Sequence, residues 1–152
     1  MSPAPRVNIH GTGLVLAGKG VLLRGPSGAG KSLLALELIE REMLRGGPAL
    51  LVADDRVDLE RDGETLVMIA PQAIAGMVEL RGRGIVTRPF TERAPLHLVV
   101  DLVDDLIRMV EEEQLTTDLL GMTIARCPVP RRGVVDAGHQ LLLVNEALAS
   151  LN

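Results

Sequence analysis

The chain has 152 residues, of which 47% are hydrophobic and 24% charged, with a formal net charge of −4. That suffices for one globular domain over residues 1–152, while the acidic balance and a single Phe with no Trp or Tyr exclude a general nucleic-acid binder or a base-stacking surface. Cys127 has no partner for an internal disulfide, no apolar run spans a membrane, and residues 1–10 lack the apolar core of a secretion signal, so a cytoplasmic enzyme is expected.

In chain order, residues 7–9 and 14–17 predict two short strands. Gly18-Lys19-Gly20 then turns the chain back into a strand over residues 21–24. Gly25-Pro26-Ser27-Gly28-Ala29-Gly30-Lys31-Ser32 fits G-x-x-x-x-G-K-[ST], the phosphate-cradling P-loop. Its glycines permit positive backbone dihedrals and close ligand approach. Successive N–H groups then face an anion at a helix N-terminus, where the dipole also favours negative charge. Lys31 is placed to reach the outer phosphates, and the Ser32 hydroxyl to ligate Mg²⁺. A helix from about residue 31 should stop at Gly46-Gly47-Pro48.

The apolar run 49–53 predicts a strand covered on both faces, ending in Asp54-Asp55. Neighbouring side chains on a strand point to opposite faces. Two carboxylates at its mouth can therefore serve two targets, one the Mg²⁺ environment and the other an incoming hydroxyl whose proton must be accepted. Residues 57–59 and 66–69 predict hairpin arms, residues 71–80 a helix opened by Pro71, residues 85–87 and 96–102 strands, residues 106–113 a helix, residues 123–128 a strand and residues 137–148 a last helix. The arginines at 81, 83, 88 and 93 read either as a solvated basic loop or as a lid that clamps phosphate oxygens. His97 and His139 read as structural. The fold class is α/β.

Taken together, these elements resemble the catalytic domain of the bacterial HPr kinase/phosphorylase family. The likeness rests on Asn8-Ile9-His10-Gly11 ahead of the glycine loop, on Ala35-Leu36-Glu37-Leu38, and on Val52-Ala53-Asp54-Asp55-Arg56-Val57. It rests most specifically on Glu79-Leu80-Arg81-Gly82-Arg83-Gly84-Ile85-Val86, similar to the family segment E-[IV]-R-G-x-G-I, and it weakens after Phe90. The resemblance implies a P-loop kinase-like domain of the HPr kinase/phosphoenolpyruvate carboxykinase type, a mixed sheet with flanking helices. It also implies ATP- and Mg²⁺-dependent phosphorylation of a serine in the phosphocarrier protein HPr, and a phosphate-dependent reverse reaction yielding pyrophosphate. The family further implies a hexamer whose partner docks across subunits.

Residue roles implied by the resemblance follow position by position. Lys31 acts on phosphates; Ser32, Asp54 and Glu79 hold magnesium; and one member of Asp54-Asp55 exchanges the proton of the target serine. His10 matches the family's active-site histidine, Arg81 lies in the segment tied to both activities, and Arg108 matches a further active-site arginine. Residues 129–134 fall near the segment used for dephosphorylation. The chain departs from the family at Pro26, at residues 88–93 and at residues 130–133, and the expectation is a single catalytic domain without the family's N-terminal domain, resembling short proteobacterial forms. ATP is implied by the family, since no aromatic platform for a base is evident. A P-loop kinase of a small metabolite and a catalytically inactive nucleotide-binding regulator are the alternatives. The lack of an Asn-Lys-x-Asp element argues against a GTPase.

Overall fold

The computed structural model describes residues 5–71 and 75–151. The first strand, β1, runs unbroken over Arg6–Leu16, where the sequence suggests two short strands around Gly11-Thr12-Gly13. The glycines do not interrupt it, because packing requires them. A Cβ on Gly11 would lie 2.7 Å from the Leu23 carbonyl oxygen, and one on Gly13 would lie 3.1 Å from the Met68 sulfur. β1 returns into β2, Lys19–Arg24, through Ala17 and Gly18, both left-handed at φ 50° and 81°. This is the primed two-residue turn that suits a twisted hairpin, and it sits one residue earlier than the Gly18-Lys19-Gly20 turn expected.

The glycine loop follows β2 and opens helix α1, Lys31–Leu44. Gly46 at φ 79° ends the helix, with Gly46 N–H donating to the Met43 carbonyl and Gly47 N–H to that of Glu42. These two hydrogen bonds satisfy carbonyls of the last turn that have no partner within the helix. β3 (Ala49–Ala53), β4 (Arg56–Asp62) and β5 (Thr65–Ile69) come next. β6 (Met77–Leu80) and β7 (Gly84–Thr87) form a separate hairpin. β8 (Arg93–Pro95), β9 (Leu98–Val103), β10 (Thr116–Leu119) and β11 (Met122–Pro130) precede helix α2, Ala137–Ala149.

Nine strands among the described residues make one mixed sheet in the order β10-β11-β9-β2-β1-β4-β5-β8, with β3 also paired to β1. β2, β9 and β11 are parallel neighbours. β1 changes partners along its length. Arg6 to His10 pair with β4, and Gly11 to Leu16 pair with β2, while β3 flanks residues 13–16 on the other side. Alternate residues then feed two cores. Val21, Leu23 and Val100 pack with Leu34, Leu38 and Ile39 of α1 and Val144 of α2. Leu22, Val52 and Val99 pack with Val57, Leu59 and Met68 on the opposite face. Burial on both faces is why the run 49–53 shows no polar alternation.

Two expected helices are not formed. Residues 72–74 of the expected helix 71–80 lie outside the described residues. Beyond them Gly76 is left-handed at φ 76°, and Met77–Leu80 is a strand with Val78 buried and its neighbours Met77 and Glu79 exposed. That period of two is the signature of a strand. Over the expected helix 106–113 the chain is irregular, with only a 3-10 turn at Glu112–Leu115. Leu106, Ile107, Met109 and Val110 are all exposed. A helix of this length draws its stability from an apolar face packed on a core, and this segment has none. The edge strands β8 and β10 carry no clear sequence signal; β8 ends in a proline, which a sheet tolerates at its rim.

Candidate active site

The glycine loop runs from the end of β2 to the start of α1, beside the ends of β3 and β9. Gly28 and Gly30 hold φ 83° and 98°. A Cβ added to either would touch nothing, so backbone conformation alone demands glycine there. Gly25 differs: its Cβ would come within 3.1 Å of Leu102. Gly30 gives α1 no side-chain cap, and the first turn holds no acidic residue. The helix N-terminus is thus left to a ligand, and its dipole favours an anion.

Lys31 is buried in its own loop. Its ammonium donates to the carbonyls of Gly25 at 2.8 Å and Pro26 at 3.0 Å. Burial lowers its pKa, against the opposing pull of Asp55 and Asp54. The two carbonyls hold the cation at the base of the loop.

The two aspartates lie just past the end of β3, in a turn rather than on the strand, so the turn and not strand alternation sends their side chains to different partners. Asp54 is buried, and its Oδ1 accepts from the hydroxyls of Ser32 at 2.7 Å and Thr12 at 3.0 Å. Its Oδ2 lies 3.4 Å from the backbone N–H of Glu79. Asp55 is two-thirds exposed and pairs through Oδ1 with Nε2 of His10 at 2.8 Å. Asp55 sits at φ 71°, and Arg56 N–H donates to the Asp54 carbonyl two residues back at 2.9 Å. This is the rarer, strained kind of γ-turn. Left-handed strain in a non-glycine residue recurs at functional sites, where the surroundings hold it in place.

These groups face a cleft of about 590 Å³. Ser27, Gly28, Ala29, Gly30, Lys31, Ser32, Asp54, Asp55, Glu79 and Arg81 of the expected site line it. Gly25 and Pro26 meet it through Lys31, and His10 through Asp55. Glu79 and Arg81, on the β6–β7 hairpin, face each other at 4.0 Å. Arg108 is exposed in the irregular segment before the 3-10 turn and does not line the cleft.

Five further residues line the cleft, Thr12, Leu33, Leu80, Arg131 and Arg132; the two arginines fall in the 129–134 segment that the resemblance ties to dephosphorylation, whereas Thr12 was given no role by sequence reasoning. A polar residue between two glycines, directly ahead of the apolar run Leu14-Val15-Leu16, is the signal that could have marked Thr12. Arg131 pairs with Asp104 at 3.0 Å, and Arg132 with Glu37 of α1. Both belong to the strand end and turn after β11, at the cleft's rim. A polar cradle, a sequestered lysine, a metal-suited pair and an exposed carboxylate in one cleft are the parts that phosphoryl transfer requires.

The HPr Serine kinase C-terminal domain family matches residues 2–151. Among curated relatives, the HPr kinase/phosphorylase of Burkholderia cenocepacia (strain HI2424) is 39% identical over 155 residues, covering 95% of this chain and 45% of the relative. That of Paraburkholderia phymatum matches to the same extent. This chain therefore spans just under half the length of those relatives. Among solved structures, the Hpr(Ser) kinase/phosphatase from Coxiella burnetii superposes with a TM-score of 0.74 at 25% identity, over 94% of this chain and 88% of that one.

Proposed function

This chain belongs to the HPr Serine kinase C-terminal domain family, and on that premise we propose that it transfers the γ-phosphoryl group of ATP to a serine of the phosphocarrier protein HPr. The observation that carries the proposal is the division of labour between adjacent acids: Asp54 is engaged by Ser32, whereas Asp55 is exposed and held by His10. In this reading the glycine loop and the N-terminus of α1 bind the phosphates, and Lys31 exchanges its carbonyl partners for phosphate oxygens. The serine oxygen bonds to the γ-phosphorus, the bond to the β-phosphate bridging oxygen breaks, and Asp55 takes the hydroxyl proton. His10 holds Asp55 in position. Arg81, Arg131 and Arg132, at the rim, neutralise charge on the transferred group.

The donors at Ser32, Asp54 and Glu79 suit Mg²⁺, a hard cation that keeps several waters and takes one or two carboxylates together with substrate phosphates. When bound, the cation neutralises phosphate charge. No group of three His, Cys, Asp or Glu is placed to hold a metal among the described residues, so a site shared between protein and nucleotide is the arrangement these residues support.

The reverse reaction, with inorganic phosphate releasing pyrophosphate and Asp55 returning its proton, uses the same residues. Assembly into a hexamer and a cytoplasmic location complete the proposal; no described helix is long and apolar enough to cross a membrane. The test is incubation of the purified chain with HPr, labelled ATP and Mg²⁺. Phosphoserine on HPr is expected. Nucleotide binding without any phosphoserine would overturn the kinase assignment.

A further inference from the structure

Thr12 has none of its surface exposed. A buried hydroxyl needs a partner, and Thr12 Oγ1 donates to Oδ1 of Asp54 at 3.0 Å, the same oxygen that accepts from Ser32 at 2.7 Å. The two donors belong to different parts of the fold. Ser32 lies on α1 directly after the glycine loop, whereas Thr12 lies within β1, opposite Leu23 of β2. Asp54 is therefore tied to the loop by one hydroxyl and to the sheet by the other.

Resting on the reading of Ser32 and Asp54 as metal-holding residues, we infer that Thr12 is a positioning residue for the divalent cation. Its neutral hydroxyl leaves the charge of Asp54 intact and fixes the plane of the carboxylate. Ser32 donates its hydroxyl hydrogen bond to Asp54 and keeps its oxygen lone pairs for the cation. Without Thr12 the carboxylate keeps the Ser32 bond and the longer contact from Glu79 N–H, and turns about them. Valine has nearly the same shape as threonine without the hydroxyl, so substitution by valine isolates the polar atom that touches Asp54. Groups that orient a metal ligand are typically worth 10–100-fold in metal affinity.

The experiment titrates Mn²⁺ into the chain in the presence of a non-hydrolysable ATP analogue, with free metal read by electron paramagnetic resonance and the fold checked by circular dichroism. Thr12→Val should raise the Mn²⁺ concentration at half-saturation by about tenfold or more. Thr12→Ser should restore it to within about twofold, and metal-free affinity for the analogue should stay within about twofold in both. Thr12→Ala, which removes the same donor, replaces the valine variant if that does not fold. Unchanged half-saturation in the folded variant, an equal defect in Thr12→Ser, or an equal fall in metal-free affinity would overturn the assignment. If the unsubstituted chain binds no metal with the analogue, the proposed function falls as well; an intact response there with an indifferent Thr12 removes only the role of Thr12.

Discussion

Replacing Asp101 with Asn should unfold the chain more readily and loosen the entry to the glycine loop. Asp101, on β9, is largely buried between two arginines: Arg24 Nε donates at 2.7 Å and its Nη2 at 2.8 Å, and Arg126 Nε donates at 2.6 Å. Burial pushes its carboxyl up, but the hydrogen bonds and charges of both arginines outweigh this and hold it below the usual carboxylate range. Asn keeps the shape but loses the charge and turns an amide donor toward guanidinium donors. Removing one partner of a fully buried pair costs about 3–5 kcal/mol. Arg24 and Arg126 keep 26% and 20% of their side-chain surface exposed, so solvent screening reduces the expected loss to about 2–3 kcal/mol. For a domain of this size that lowers Tm by about 5–10 °C, read by calorimetry and urea unfolding. Arg24 is the last residue of β2 before Gly25, so nucleotide affinity should fall with stability. The sign with pH is fixed too. A depressed carboxyl pKa gives stability that is present above about pH 4 and lost as pH falls through the folded value, and D101N should lack that acid limb. A loss below about 0.5 kcal/mol, the usual size of a surface change, would refute the reasoning.

Asp55→Asn should lower kcat by about 10²–10⁴-fold, the usual worth of a positioned base, and leave nucleotide affinity nearly unchanged in calorimetric titration; equal losses in both would contradict its separation from the loop. Lys31→Ala should weaken ATP binding by about 10–100-fold, the equivalent of losing charged hydrogen bonds worth about 1.5–3 kcal/mol, and an unaltered dissociation constant would exclude contact with the phosphates. His97 Nδ1 accepts the Gly20 N–H at 2.9 Å, and burial, aided by Lys19, lowers its pKa. Its contribution is therefore present above about pH 6.5 and lost as pH falls through the folded value. Urea midpoints measured from pH 7.5 to 5 should decline more steeply in the unsubstituted chain than in His97→Gln, and parallel slopes would rule out this linkage.

What was legible in the sequence was what local chemistry dictates. The loop between β2 and α1, the glycine stop at Gly46 and the doubly buried β3 each follow from residues adjacent in the chain. What was not legible depends on distant partners. Pro71 looks like a helix opener, yet Gly76 lies against Phe90 and Arg88, and a Cβ there would come within 2.7 Å of the Phe90 ring. Leu106, Ile107 and Met109 have helical composition, but all three stay exposed rather than packed into the core. At the site, alternation along a strand leads to the expectation that Asp54 and Asp55 differ, yet both lie in the turn just past β3. The left-handed turn at Asp55 and its meeting with His10, 45 residues away in the chain, come only from tertiary structure. Thr12 was overlooked because a lone threonine in a strand usually reflects β-propensity.

The change of partners along β1 makes one strand answerable for the register of two sheet halves. His10 closes the stretch zipped to β4, and Gly11 opens the stretch zipped to β2. Loss of Gly11, with Thr12 to Leu16 still seated on β2, would draw the first half along by about 3.3 Å and reverse its faces, parting His10 from Asp55. Length tolerance should therefore differ sharply along the chain: an extra residue at the Ala17-Gly18 bend extends a surface loop, whereas one inserted between His10 and Thr12 sets the partner of Asp55 out of step with the partner of Asp54.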